Sequence, residues 1–424
     1  MRHGTTAILI WGLVFLTGAQ AKEHGSALIL KKGQRVAVVG DSITEQKLYS
    51  RFIEMYLTVC LSELDLKVVQ LGWGGETAGG FAGRMNNDLL PWHPDVVTTC
   101  YGMNDGGYRK YEDGIGKRYH DSMADIVERL KKAGATVVVG SPGVVDSTYF
   151  KNPNTPAAVY NDNLAHLRDV ARALAESEGQ LFADVHAAMM TAMEKAKPAL
   201  GEAYDVGGKD GVHPGPNGHL LMAYAFLKAM GIDGQIGTIT VDLKGTASAT
   251  EGHRVLSSEA GKAEIESARW PFCFSGDEKS SGGTRSILPF TAFNQDLNRL
   301  TLVVKNLEAP KAKVVWGTVA KSFTKAELEK GVNLAAEFAE NPFSESFRKV
   351  EGLVASKQQY ETVMIKQTIN SFPRLVEASG KDAEVTASVD TLRRQLFNVH
   401  ERMSANIRTA VVPVKHAIAV TPEN

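Results

Sequence analysis

The stretch Arg35-Val36-Ala37-Val38-Val39-Gly40-Asp41-Ser42-Ile43-Thr44 decides the fold. Val36 to Val39 is an unbroken apolar run, the pattern a strand carries when helices cover both faces of its sheet. The run stops at Gly40-Asp41-Ser42 and passes at once into a helical pattern, predicted over 45–64. A strand that turns directly into a helix begins a βαβ unit. The turn also puts Ser42 at a helix N-terminus, where unpaired amides and the helix dipole can hold a developing negative charge. On this segment alone, Asp41 or Ser42 as a plain helix cap accounts for the residues equally well.

Working outward, the pattern repeats. Apolar runs at 35–39, 67–71, 95–100, 136–140 and 181–185 alternate with helical patterns over 119–133, 157–178 and 217–230. This alternation predicts an α/β fold with a three-layer parallel sheet flanked by helices. Sites on such sheets gather at the carboxyl ends of the strands, near the point where strand order reverses. After Gly231 the texture changes: 236–243, 263–274, 299–307 and 312–316 are predicted strands, separated by turns such as Ser280-Ser281-Gly282-Gly283. Thr324-x-x-Glu327 has the form of a capping box and opens a helical stretch that runs to about Arg408. The alternating run 412–420 is predicted to return as a strand, which makes the helical stretch an insertion within a β-rich unit.

With 424 residues the chain can build more than one core, and its 47 Lys plus Arg against 48 Asp plus Glu leave no field of one sign. That balance argues against nucleic acid or an anionic membrane as partner and favours a neutral substrate. Arg2 and His3, the apolar run 7–17 and Ala19-Gln20-Ala21 have the form of a signal peptide, residues 1–21, cleaved after Ala21. The run is shorter than the ~20 apolar residues of a spanning helix, so the expected product is exported, periplasmic or extracellular, with no membrane segment left after cleavage. Cys60, Cys100 and Cys273 are too few for a disulfide scaffold, although an exported protein could form one bridge. Cys100 lies in an apolar strand pattern, where burial as an inert thiol is expected.

A second chemical feature is Asp210-Gly211-Val212-His213-Pro214, on a turn that leads into another helical run. A serine hydroxyl is a poor nucleophile until a base takes its proton, and that base needs a third group to fix its tautomer. The three-residue spacing lets one loop present imidazole and carboxylate together. The second and third strands lead into Gly72-Trp73-Gly74-Gly75-Glu76-Thr77 and Cys100-Tyr101-Gly102-Met103-Asn104-Asp105, on the same sheet edge as Ser42. A glycine amide and an Asn side-chain amide are donors suited to a tetrahedral oxyanion. Out of context these are ordinary turn residues.

In order and spacing, the four segments resemble the SGNH hydrolases, also called GDSL esterases and lipases, over residues 31–231. The resemblance implies a flavodoxin-like hydrolase domain at 22–235; the change of texture beyond it predicts an accessory region at 236–424, β-rich over 236–318 and 412–420 and helical over 324–408. It implies Ser42 as nucleophile, His213 as general base and Asp210 as its orienter. The Ser42 amide, Gly75 and Asn104 would form the oxyanion hole. Gly75 is preferred to Gly74 because Gly75-Glu76-Thr77 fits the family's second block. Gln70 replaces the Asn with which that block usually begins, and Ile43 replaces a frequent Leu; neither position does chemistry.

No cofactor or metal is required. G-x-S-x-G, a complete Walker sequence and H-E-x-x-H are absent, and Thr77 stands where a dinucleotide fingerprint has its third glycine. His93, His120, His166, His186 and His219 form no ligand pattern, and His219 is expected on the surface of the helix after the His213 loop. Trp73, Trp92, Tyr101 and Tyr108 fall near the active edge, as an aromatic wall or as core. The expected partner is an ester, with O-deacetylation of an acylated glycan favoured by export and the appended β-rich unit. A lipase or lysophospholipase-like activity and a glycan-binding or cell-surface module with a secondary esterase are the alternatives.

Overall fold

The computed structural model describes residues 27–424; the expected signal peptide, 1–21, lies outside them. Strands β1 (Arg35–Gly40), β2 (Lys67–Gly72), β3 (Val96–Cys100), β4 (Thr136–Gly140) and β5 (Leu181–Ala183) form a wholly parallel sheet in the order β2-β1-β3-β4-β5. The connecting helices are α1 (Ser42–Glu45), α2 (Tyr49–Val59), α3 (Ala78–Asp88), α4 (Asp113–Lys132), α5 (Ala157–Ser177), α6 (Val185–Leu200) and α7 (Pro216–Ala229). Val36 and Val38 point into a core shared with α2, α6 and α7, whereas Ala37 and Val39 point into a second core with α3, α4 and α5. Burial on both faces is why β1 shows no polar alternation. Strand order reverses between β1 and β3, so the turns after these two strands flank the crevice where such sheets bind ligands.

Three expected elements are shorter than their apolar patterns. The helix expected over 45–64 is broken: α1 is one turn, Lys47 takes a left-handed φ of 59°, and α2 starts afresh at Tyr49. The strand expected to reach Val185 ends at Ala183, because the Asp184 side chain accepts from the Ala187 amide and starts α6. The strand expected over 263–274 leaves its sheet after Ser267, and Trp270 and Phe272 become buried core.

Nine further strands follow: β6 (Gln235–Asp242), β7 (Ser248–Ala249), β8 (His253–Glu259), β9 (Lys262–Ser267), β10 (Arg299–Lys305), β11 (Lys311–Trp316), β12 (Val319–Thr324), β13 (Val332–Asn333) and β14 (Val414–Glu423). They build two sheets, β13-β10-β6-β7 and β12-β11-β14-β9-β8. The alternating C-terminal run is β14, antiparallel to β11 and β9, so the long helices Ser344–Glu361 and Ala383–Ala410 lie within the β-rich unit's sequence. Thr324 and Glu327 make both bonds of the capping box. A buried line of neutral side chains joins the two sheets. Trp316 Nε1 donates to His416 Nδ1 (3.1 Å), His416 Nε2 to Ser267 Oγ (2.9 Å), Ser267 to His253 Nδ1 (2.7 Å) and His253 Nε2 to Ile236 O (3.1 Å).

The C-terminal helices close the open edge of the parallel sheet. An edge strand leaves a row of backbone groups unpaired. Here Lys357 Nζ donates to Val68 O at 2.7 Å, and Glu361 Oε2 accepts from the Gln70 amide at 3.0 Å. Lys357, fully buried, also pairs with Glu361 and with Glu54 of α2. Met364, Ile365 and Phe372 then join the core under α3, while Trp270 and Phe272 join the core under α2. Both cores of the parallel sheet therefore continue into residues 236–424.

Candidate active site

Ser42 begins α1 at the carboxyl end of β1, and Asp41 caps that turn by accepting from the Ile43 amide at 2.9 Å. His213 Nε2 lies 2.8 Å from Ser42 Oγ, and His213 Nδ1 lies 2.6 Å from Asp210 Oδ2. The other Asp210 oxygen accepts from the Val212 and His213 amides, both at 2.9 Å. The carboxylate thus fixes its own loop and the imidazole at once. With Nδ1–H donated to Asp210, Nε2 is free to accept the serine proton, as a general base must. Burial alone would raise the Asp210 pKa. The two backbone amides and the His213 ring outweigh it and hold the carboxyl below its usual range, so the imidazole faces an ionised partner. Gly211, with φ of 82°, packs so closely that a Cβ would lie 2.2 Å from the Phe150 nitrogen, which excludes any side chain at this turn.

Gly75 and Asn104 stand on the neighbouring turns, after β2 and β3. Gly75 takes a left-handed φ of 71° and is exposed, while the extra Cβ of a residue at 74 would meet Glu45 Oε2 at 2.8 Å. Asn104 is held at both ends of its amide: Nδ2 donates to Glu76 O at 3.0 Å and Oδ1 accepts from Tyr108 at 3.1 Å. An amide nitrogen carries two hydrogens, so one remains for an oxyanion. Beneath this turn Asp105 accepts from the amides of Ala78 (3.0 Å) and Gly102 (2.9 Å) and ties the two loops together. Burial lifts its carboxyl to about 6. Burial likewise lifts Asp41 to about 7, reinforced by the charges of Asp105 and Glu76 and opposed by the Ile43 amide. Glu76 is held by Arg84 through two bonds of 2.6 and 2.8 Å and by Tyr101 at 2.9 Å.

His219 corrects one expectation. It is fully buried, not on a helix surface. Its Nδ1 accepts from the Tyr49 amide (3.1 Å) and its Nε2 donates to Gln46 Oε1 (2.9 Å), so it caps the α2 start that the break at Lys47 creates. Helix α7 is apolar nearly all round, which leaves no solvent face for residue 219. Burial drives the His219 pKa down to about 3. Of the aromatic candidates, Trp92 and Tyr101 are core, whereas Trp73 and Tyr108 stay partly exposed at the active edge. The Trp73 ring carries Arg84 at 4.8 Å and Lys366 at 4.9 Å.

Two buried residues that no sequence pattern marked hold the histidine loop. Asp146 pairs with Lys197 at 2.9 Å and accepts from the amides of Val206 (3.0 Å) and Gly207 (3.4 Å). The Asp146 amide in turn donates to Gly211 O at 2.9 Å. Lys197 sits in the last turn of α6 beside Pro198, and only the folded chain brings it to Asp146. From the β-rich side, Ser281 Oγ donates to Asp205 Oδ1 at 2.6 Å behind the same loop.

Residues 38–221 match the GDSL-like lipase/acylhydrolase family. An acetylxylan esterase of Geobacillus stearothermophilus is 24% identical over 216 residues, spanning 47% of this chain and 95% of that protein. Among solved structures, a gut microbial diltiazem-metabolizing enzyme superimposes with a TM-score of 0.71 at 21% identity, covering 94% of this chain and all of that one (100%). Its fold therefore includes a counterpart of the C-terminal sheets and helices. A catalytic mutant of an acetylxylan esterase from Geobacillus stearothermophilus matches with a TM-score of 0.40 at 22% identity, over 48% of this chain and 96% of that one. The match over residues 38–221 and the esterase relative together support a carboxylic-ester hydrolase of the SGNH/GDSL type.

Proposed function

We propose that this protein is an exported serine esterase that removes O-acetyl groups from a glycan through an acyl-enzyme. The unbroken hydrogen-bond line from Ser42 Oγ (2.8 Å) through His213 to Asp210 (2.6 Å) carries the reading. Ser42 Oγ attacks the ester carbonyl while His213 Nε2 takes its proton. The tetrahedral oxyanion rests against the Ser42 and Gly75 amides and the Asn104 side chain. Collapse expels the alcohol, which receives the proton from His213, and water activated by the same imidazole releases the acid. Export is inferred from the N-terminal pattern, and glycan deacetylation is supported by the sequence relative described as an acetylxylan esterase.

Hydrolysis of p-nitrophenyl acetate, butyrate and octanoate, together with acetate release from acetylated xylooligosaccharides, tests the substrate. Preference for acetate with release from the oligosaccharide is expected. Preference for octanoate without release would replace the glycan reading with a lipase-like one.

A further inference from the structure

Gly72 is where the oxyanion loop meets the nucleophile turn. A Cβ there would lie 2.2 Å from the Glu45 nitrogen and 2.4 Å from the Thr44 carbonyl carbon, so backbone touches backbone. The next residue is bonded to the end of β1, Trp73 N to Gly40 O at 3.1 Å. A shift of the Gly72 peptide would therefore alter the separation of Ser42 from Gly75.

That peptide is held by Gln70, a residue the proposed mechanism leaves idle. Gln70 is buried on β2, and its Oε1 accepts from the Gly72 amide at 2.9 Å. The other groups of Gln70 face the C-terminal helix Ser344–Glu361: its backbone amide donates to Glu361 Oε2 at 3.0 Å, and its Nε2 reaches Gln358 O at 3.4 Å. Glu361 is fixed in turn by Lys357 and by His400 Nε2 at 2.7 Å. The π-helical turn Thr362–Thr368 continues from this point and carries Lys366 to Glu45, the last residue of α1. The same Glu45 carboxylate abuts Gly74. Two tethers from the C-terminal helices thus converge on residues 72–74.

We infer that Gln70 is a positioning residue through which the C-terminal helix Ser344–Glu361 sets the oxyanion loop against Ser42. On this basis, which rests on the Ser42 esterase reading, residues 344–371 are part of the catalytic unit and not a separable binding module. Gln suits the position because its Oε1 accepts from the Gly72 amide while its Nε2 spans to the neighbouring helix. Asn is one methylene shorter.

Steady-state hydrolysis of p-nitrophenyl acetate by the full chain, wild type against Gln70→Leu and Gln70→Asn, tests this, with folding checked by circular dichroism. An oxyanion donor is worth on the order of 10²–10³ in rate. Displacing the loop in Gln70→Leu is expected to lower kcat about tenfold to a hundredfold with KM within about twofold, and Gln70→Asn is expected to fall between the two. The rate of covalent phosphonylation by a p-nitrophenyl phosphonate should fall in parallel. Folded variants with a lowered melting temperature but an unchanged kcat would overturn the inference, as would a rise in KM alone. Should Gln70→Leu not fold, Gln70→Asn decides: a severalfold loss of kcat supports the inference and an unchanged kcat overturns it. Failure of the esterase reading itself would show separately, as a wild-type rate equal to that of Ser42→Ala.

Discussion

Replacing His219 by Gln should remove a defined part of the protein's sensitivity to acid. A Gln can accept from the Tyr49 amide and donate to Gln46 as the imidazole does, but it does not titrate. The pKa of His219 is lowered by burial from the usual 6.5 to about 3. Its contribution is fully present above 6.5, where folded and unfolded chains both carry a neutral ring. Below 6.5 the unfolded chain takes up a proton that the folded chain refuses, so stability falls by about 1.4 kcal/mol per pH unit until the folded ring titrates near 3. Between neutrality and pH 5 this amounts to about 2 kcal/mol, and near pH 3 to about 5 kcal/mol. Burial also lowers His253 and His400, and takes His416 to about 4. These three act alike in both proteins and cancel in the difference. Urea unfolding followed by tryptophan fluorescence at pH 7.5 and pH 5 gives the comparison. The wild type should lose about 2 kcal/mol more than His219→Gln over this interval. Identical losses would refute a buried, neutral His219.

Asn104→Ala should lower kcat for p-nitrophenyl acetate by about 10²–10³-fold with little change in KM, since the amide acts on the oxyanion more than on the ground-state ester; a change confined to KM would count against an oxyanion role. Lys197→Met leaves the Asp146 carboxylate buried without its ion partner and should cost about 3–5 kcal/mol. Differential scanning calorimetry should show a clear drop in melting temperature, and an unshifted transition would contradict the bracing of the His213 loop. Cys60, Cys100 and Cys273 are buried free thiols whose pKa values burial pushes up. A disulfide-exchange reagent should label none in the folded protein and three in urea. Fewer than three after unfolding under non-reducing conditions would reveal a bridge.

The parallel sheet was legible because its strands are buried on both faces, and a run as short as Val36 to Val39, rich in β-branched Val and closed by Gly40, suits a covered strand better than a helix. The site followed from it. Ser42, Gly75, Asn104 and His213 each stand on a turn beside a strand or helix end, and turn chemistry is local. His219 was not legible, because the backbone break at Lys47 that creates an uncapped amide at Tyr49 leaves no mark in hydropathy. Asp146 and Lys197 are 51 positions apart in the chain and meet only through the fold. Gln70 stood out only as a departure from a family pattern, and its role depends on a helix almost 300 residues away (Gln358, separation 288). The returning strand β14 could be anticipated from its alternation, whereas its place between β11 and β9 required long-range pairing that periodicity does not carry.

The most direct test of Ser42 as nucleophile is the intact mass of the protein after exposure to a p-nitrophenyl phosphonate, followed by peptide mapping. One phosphonyl group per chain, placed on Ser42 and absent from Ser42→Ala, is the expected result. An unmodified protein that still hydrolyses p-nitrophenyl acetate, or a label that persists in Ser42→Ala, would contradict it.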